Sequence, residues 1–359
     1  MAQIRLIISR KIIPILCVIP LIILFITIQN SSNETFNLSD ITSTNLFSLN
    51  VENEEQILIY RRQSCSCKRP LPQQHSNLLI IDETKSSLCS QYSTLRGRHQ
   101  RIISISMFGF AQNSVFNLNS SMTYLYELIS DMKNIYPNWI LRIYHDSTIH
   151  NDLICSIECA YNNVDFCNAS SLGNLGSVSS YIPPKIWRFL PAGDELVDVM
   201  ASRDLDSPLT QRELAAVNEW LSSGKAWHTM RDNPMHFVAM LGGMWGFRPA
   251  LNRTFANFFL QKMLNHSLVN KYGGRGDQGF LSDNIWPYID NDIISHDSFL
   301  CMQSYSKNPH PWPTRRLHPS NDTHCFVGCS RPCCQPTAYP FGECPEKCRL
   351  KNHIDWIMC

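Results

Sequence analysis

The segment VDVMASRDLDSPLTQRELAAVNEWLSSG, residues 197–224, decides how this chain folds. Val197 to Ala201 is a short apolar run of strand length, and it leads straight into Ser202-Arg203-Asp204-Leu205-Asp206. Thr210 then caps a helix, with Glu213 at the last place of a capping box. Ala215, Ala216, Val217, Trp220 and Leu221 give that helix an apolar face, and Gly224 ends it. The same alternation extends outward in both directions. Ile102 to Met107 reads as a buried strand, Ser120 to Met132 as a helix and Trp139 to Tyr144 as a strand. Ile186 to Leu190 is a short helical piece, Ala226 to Met230 a strand, and Phe255 to Leu264 a helix. Strands alternating with helices predict an α/β layer fold with a mostly parallel sheet flanked by helices.

The whole chain has 359 residues, a length that suggests about two domains. Hydrophobic residues make up 44% and charged residues 17%, which excludes a disordered chain. Net charge is +1, and the first eleven residues hold Arg5, Arg10 and Lys11 with no acid. The rest is slightly negative, which excludes nucleic acid as an electrostatic partner. Fifteen cysteines point to an oxidising compartment.

Ile12 to Ile28 is an uncharged apolar run preceded by Arg10-Lys11, long enough with its flanks to cross a membrane. The positive flank places the N-terminus in the cytosol and the remainder outside it. A cleaved signal peptide is the rival reading, but the run is long for one and lacks an Ala-x-Ala-like exit. Eight Asn-x-Ser/Thr sequons follow, at Asn30, Asn33, Asn37, Asn119, Asn168, Asn252, Asn265 and Asn321, and suit that orientation. Asn30 is too close to the membrane for use. Beyond Cys17 in the apolar run, fourteen cysteines remain, enough for seven disulfides of open connectivity. The predicted layout is a cytosolic tail (1–11), a signal anchor (12–29), a solvated stem and Cys-containing collar (30–98), an α/β domain (99–310) and a Cys-rich module (311–359). Cys155, Cys159 and Cys167 are placed in an insertion, and the tail requires disulfide staples.

Asp204 and Asp206 are the centre of the functional reading. Alternate residues of an extended backbone share a side, so two carboxylates can hold one hard cation through oxygen. The remaining coordination places suit diphosphate oxygens and water. Asp-x-Asp alone is a weak signal, because Asp290-Asn291-Asp292 repeats it in an irregular stretch. Position separates the two. Asp204 and Asp206 end a strand, where ligands of open α/β sheets collect.

Residues 197–236, followed by MLGGMWGFRP (240–249) and GRGDQGFLSDNIWP (274–287), resemble nucleotide-sugar glycosyltransferases of the GT-A fold, over roughly residues 100–300. The anchor, stem and luminal body resemble the layout of Golgi glycosyltransferases. The resemblance implies a single-pass type II protein of the Golgi lumen, with the plasma membrane or secretion as alternatives. It implies a nucleotide-sugar donor, Mn²⁺ or Mg²⁺, and a glycan, glycoprotein or glycolipid acceptor. Asp204 would meet the ribose or the metal, Asp206 would be the firmer metal ligand, and His296 a third. Gly242, Gly243 and Trp245 match a loop lining the acceptor pocket, and Asp277 a base in inverting members. From the residues themselves, His228, Arg231 and Asp232 follow a predicted strand, where they could meet the sugar or form a salt-bridged strand end. Lys185, Arg188 and Arg203 could offset phosphate charge.

Other motifs are discounted. Gly274 to Gly279 spells G-x-G-x-x-G without a preceding strand. Arg275-Gly276-Asp277 is an Arg-Gly-Asp triplet in what reads as a packed segment, and the Cys-x-x-x-Cys spacings suit disulfides better than zinc. Two rival functions remain: a haloacid-dehalogenase-type phosphatase, in which Asp-x-Asp would open the domain, and a non-catalytic membrane-anchored carbohydrate-binding or adhesion protein.

Overall fold

A computed structural model describes residues 36–37, 48–52, 55–62, 65–70, 86–110, 118–274, 276–303, 306–316, 323–336 and 341–359. Phe36–Cys359 forms one compact unit. The predicted anchor at 12–29, the cytosolic tail and the sequons at Asn30, Asn33 and Asn321 lie outside the described residues. Among the described residues no helix is long and apolar enough to cross a membrane.

The strands, in chain order, are β1 (Phe36–Asn37), β2 (Ser48–Glu52), β3 (Glu55–Arg62), β4 (Cys65–Pro70), β5 (Gln100–Met107), β6 (Ile140–His145), β7 (Val164–Asn168), β8 (Val197–Ser202), β9 (Trp227–Arg231), β10 (Trp245–Phe247), β11 (Ile293–Asp297) and β12 (Pro309–His310). The helices are α1 (Gln91–Leu95), α2 (Leu118–Ile135), α3 (Asn151–Ala160), α4 (Pro184–Trp187), α5 (Gln211–Ser222), α6 (Arg253–Leu264), α7 (His266–Val269) and α8 (Gly276–Asn284). β5 to β12 form an eight-stranded sheet in the order β12-β11-β9-β10-β8-β5-β6-β7. Its strands pair in parallel except β10, which runs antiparallel to both β8 and β9. This is the α/β fold with a mostly parallel sheet that the alternation predicts.

The period of two in the strands divides the core between the sheet's faces. Ile102, Met200, Trp227 and Trp245 pack with Trp187, Phe259 and Phe280 from α4, α6 and α8. Their neighbours Ile103 and Ala201 point the other way, onto Leu128 of α2, Ile154 of α3 and Trp220 of α5. Helix α5 begins as its sequence requires, with the Thr210 hydroxyl accepting from the Glu213 amide at 3.2 Å. The capping box is only half made. The Glu213 carboxylate turns away to accept from Arg203 Nε at 2.7 Å and the Tyr136 hydroxyl at 3.0 Å.

Register decides what reaches the carboxyl edge of the sheet. Ser104 of β5 lies opposite Ser202 of β8, so Ser106 and Asp204 emerge together. Trp245 lies opposite both Ser202 and Thr229. Because β10 is antiparallel, the loop entering it, residues 232–244, emerges at that same edge.

Two expectations are corrected. The span 30–60 is not only a stem: its described segments are strands that join β4 in a four-stranded antiparallel sheet. Cys155 and Cys159 lie on helix α3 and Cys167 on strand β7, within regular structure rather than an insertion. Disulfides Cys65–Cys155, Cys67–Cys159 and Cys89–Cys167 pin the collar to these elements. The tail packs against the sheet. Alongside Cys301–Cys348, Cys325–Cys334, Cys329–Cys333 and Cys344–Cys359, it packs Val327 and nearby Trp312 onto Met230 and Met244 of the sheet and its loop.

Candidate functional site

A cleft of about 370 Å³ opens at the carboxyl edge, where β8 ends. It brings together Lys185, Arg188, Asp204, Asp206, Gly242, Gly243 and Asp277, seven of the residues singled out in the sequence. Their centre is Arg188, which follows α4 and is buried. One arm of its guanidinium donates to Asp204 Oδ1 at 2.5 Å and to the Arg203 carbonyl at 2.8 Å. The other arm donates to Asp277 Oδ2. Burial works to lower the Arg188 pKa, but Asp204 and Asp277 outweigh it and raise it further. Partial burial likewise works to raise the Asp204 carboxyl, and Arg188 outweighs it, so Asp204 titrates below the usual carboxylate range. Asp277 sits in the first turn of α8, where the helix dipole favours a carboxylate. Asp277, the acid of the Arg-Gly-Asp triplet, is thus buried against Arg188.

The two glycines are explained by contact. A Cβ on Gly242 would lie 2.1 Å from Asp277 Oδ2, and one on Gly243 would lie 2.0 Å from Asp204 Oδ2. Real Cβ atoms do not approach oxygen so closely, so this pair of positions admits only glycine while the carboxylates stay in place. The Ser202 hydroxyl donates to the Gly242 carbonyl at 2.7 Å and holds the loop against the strand end.

Six predicted site residues are placed elsewhere: Arg231 and Asp232 take the salt-bridged strand end that the sequence also allowed, and the other four placements are corrections. Arg203 turns beneath the sheet edge to pair with Glu213. Trp245 is fully buried against Phe189, Trp227 and Phe259, because its strand position points it into the core. Arg231 is buried in an ion pair with Asp297 at 2.7 Å. Asp232 is fully buried and accepts from Arg212 at 2.9 Å, Arg316 at 2.9 Å and the Val327 amide at 2.9 Å. His228 and His296 face each other inside the sheet, Nε2 to Nδ1, at 2.8 Å. His296 reaches Glu219 at 3.1 Å through its other nitrogen. Burial lowers both histidine pKa values. The expected trio of Asp204, Asp206 and His296 therefore does not converge.

The donor set that remains suits a hard divalent cation in part. Asp206 lines the cleft, and its carboxylate accepts no hydrogen bond among the described residues; Asp204 keeps Oδ2 beside Gly243. Two carboxylates fit Mn²⁺ or Mg²⁺ when ligand phosphates and waters supply the other oxygens. Among the described residues, the one group of three metal-ligating side chains within 4.8 Å is Cys65, Cys155 and Cys159. Those sulfurs belong to two adjoining disulfides, which offer no thiolate.

The cleft also contains residues that sequence reasoning passed over. His236, four residues past Asp232, lines it and accepts the Asp232 amide on Nδ1 at 3.1 Å. Burial pushes the His236 pKa down to about 4 against partial compensation by Asp232 and Asp297, so the neutral ring carries its proton on Nε2. Gly328 of the tail is another lining residue. A wall drawn from more than 80 residues beyond the loop it faces leaves no signal in local sequence.

No protein-family model matches this chain, and no curated protein is detectably similar to it.

Proposed function

We propose that the protein is a metal-dependent glycosyltransferase of the GT-A type, moving a sugar from a nucleoside-diphosphate donor to a glycan, glycoprotein or glycolipid hydroxyl. The observation that carries this reading is Asp206, a carboxylate without a hydrogen-bond or ion-pair partner among the described residues, in a cleft beside Asp204, Lys185 and Arg188. The mostly parallel sheet flanked by helices supports it, as do the disulfides, which suit the oxidising lumen implied by the Golgi resemblance. Asp204 and Asp206 would hold Mn²⁺ or Mg²⁺, which supplies charge neutralisation to a departing diphosphate. Lys185, exposed at the cleft wall, offers a second positive charge. Arg188 fixes Asp204 and Asp277 on either side of itself, so these two carboxylates are held before a ligand arrives. In an inverting reaction Asp277 accepts the acceptor's proton. That step requires its Oδ2 to leave Arg188, or the other oxygen to act.

The test is an assay of the full chain against a panel of sugar nucleotides with Mn²⁺. Transfer or donor hydrolysis by the wild type, lost in Asp206→Ala, is the expected result. Equal turnover by the two proteins would remove the metal role, and nucleotide binding without turnover on any acceptor would favour a non-catalytic carbohydrate-binding protein.

A further inference from the structure

We infer that Arg331, in the disulfide-knotted tail, is a positioning residue for the Asp206 carboxylate; the functional meaning of this rests on the metal-site reading above. The two carboxylates of the cleft are held by different means. Asp204 is gripped through its side chain by Arg188. Asp206 has no such grip among the described residues, so its carboxylate goes where its backbone goes.

That backbone is held from the tail. The Arg331 amide donates to the Asp206 carbonyl at 2.8 Å. The Arg331 guanidinium pairs with Asp131 and, at 3.1 Å, with Glu127, both on helix α2. Asp131 closes the circuit by accepting the Leu209 amide at 3.0 Å on the same oxygen that meets Arg331. The loop from Asp206 to Leu209 is thus tied at both ends, once to the tail and once to α2, and Arg331 joins the two ties. The tail itself is fixed on either side of Arg331. Cys325–Cys334 and Cys329–Cys333 knot it, and the Val327 amide donates to buried Asp232. At Gly328, whose φ is +88°, a Cβ would lie 2.3 Å from Met244 Sδ, so the tail rests directly on the cleft wall. A side chain that is only 15% exposed and spans the gap between tail and helix is a brace, not a solvated surface arginine.

The experiment combines amide hydrogen exchange with Mn²⁺ titration followed by electron paramagnetic resonance, on the full chain carrying Arg331→Ala or Arg331→Lys. In Arg331→Ala, which loses both ion pairs and keeps the backbone tie, the Ser207 and Leu209 amides are expected to exchange at least about tenfold faster and Mn²⁺ to bind about tenfold more weakly. Amides of β5 and β8 should keep wild-type rates, and Arg331→Lys should recover part of both effects. Wild-type exchange at Ser207 and Leu209 in Arg331→Ala would overturn the inference. Faster exchange in a chain whose wild type binds no Mn²⁺ would uphold the brace and overturn the metal reading. Should Arg331→Ala fail to fold, Asp131→Asn with Glu127→Gln removes both ion pairs while leaving an oxygen for Leu209. Faster exchange at Ser207 in that variant supports the brace, and unchanged exchange overturns it.

Discussion

Two Arg–Asp pairs stand at the ends of the two strands that flank β10 in the sheet, Arg203-Asp204 after β8 and Arg231-Asp232 at the end of β9. In sequence they look equivalent, yet the structure gives them opposite fates. Among the described residues Asp204 pairs with a single arginine, Arg188, and its side chain stays 43% exposed in a cleft. Asp232 meets two, Arg212 and Arg316, and is sealed beneath the tail through the Val327 amide. The difference lies above the strands rather than in them. Over Asp204 passes Gly242-Gly243, which leaves room for carboxylates and for solvent. Over Asp232 passes a disulfide-stapled chain that takes the carboxylate as an anchor. A carboxylate at a strand end becomes a site only where the covering loop lacks side chains to bury it.

The strongest way to break this comparison is to remove each acid. Asp232→Ala leaves two buried arginines without their partner and should destabilise the fold by about 3–5 kcal/mol, read by denaturant unfolding. Asp204→Ala should cost much less, because Arg188 keeps Asp277 and the Arg203 carbonyl. Equal losses would erase the distinction.

Gly243→Ala tests the covering loop. The new Cβ must displace Asp204, whose Oδ2 lies 2.0 Å from where it would stand. Mn²⁺ binding should weaken by at least about tenfold, with a smaller loss of stability than in Asp232→Ala. Unchanged binding would show that Asp204 does not need its present place.

His236 connects the two regions, since it touches the Asp232 amide and lines the cleft. Its folded pKa of about 4 lies below the ordinary value of about 6.5. The unfolded chain therefore takes up that proton first, so its contribution to stability is full above about pH 6.5 and falls as the pH drops toward 4. His228 and His296 are lowered as well and add to the same decline. Asp204 and Asp232 are depressed, so their contribution persists above the ordinary carboxyl value of about 3.9 and is lost only below it. Calorimetry should show the melting temperature falling by several degrees between pH 6.5 and 5. A flat profile there would contradict the buried neutral histidines.

The smallest effect concerns a surface far from either pair. Asn252 is exposed and caps α6 through its Oδ1, accepting from the Phe255 amide at 2.9 Å, which leaves its nitrogen for a glycan. In chain made by a secretory pathway, Thr254→Ala should remove one N-glycan by mass while changing stability by under about 0.5 kcal/mol. A wild-type mass without sugar at Asn252 would count against a luminal body.

Local pattern carried most of the fold. Strand periodicity, the Thr210 cap and the apolar face of α5 depend on near neighbours, and each is where the sequence places it. So were the strand-end carboxylates and the glycine pair, which occupy short contiguous motifs. What local pattern misses is set by distance along the chain. Arg316 and Val327 lie 84 and 95 residues from Asp232, and His296 lies 68 from His228. Nothing near Asp232 or His228 indicates that those partners arrive and turn site-like residues into buried pairs. The collar and tail were underestimated for the same reason. A cysteine count gives seven pairs without saying which elements they join.

The most direct test of the open carboxylate pair is a titration of Mn²⁺ into the full chain with a nucleoside diphosphate present, followed by electron paramagnetic resonance. The account predicts one bound Mn²⁺ per chain, whose signal is altered by the diphosphate and lost in Asp206→Ala. Mn²⁺ binding that is absent from the wild type, or that survives Asp206→Ala unchanged, would contradict it.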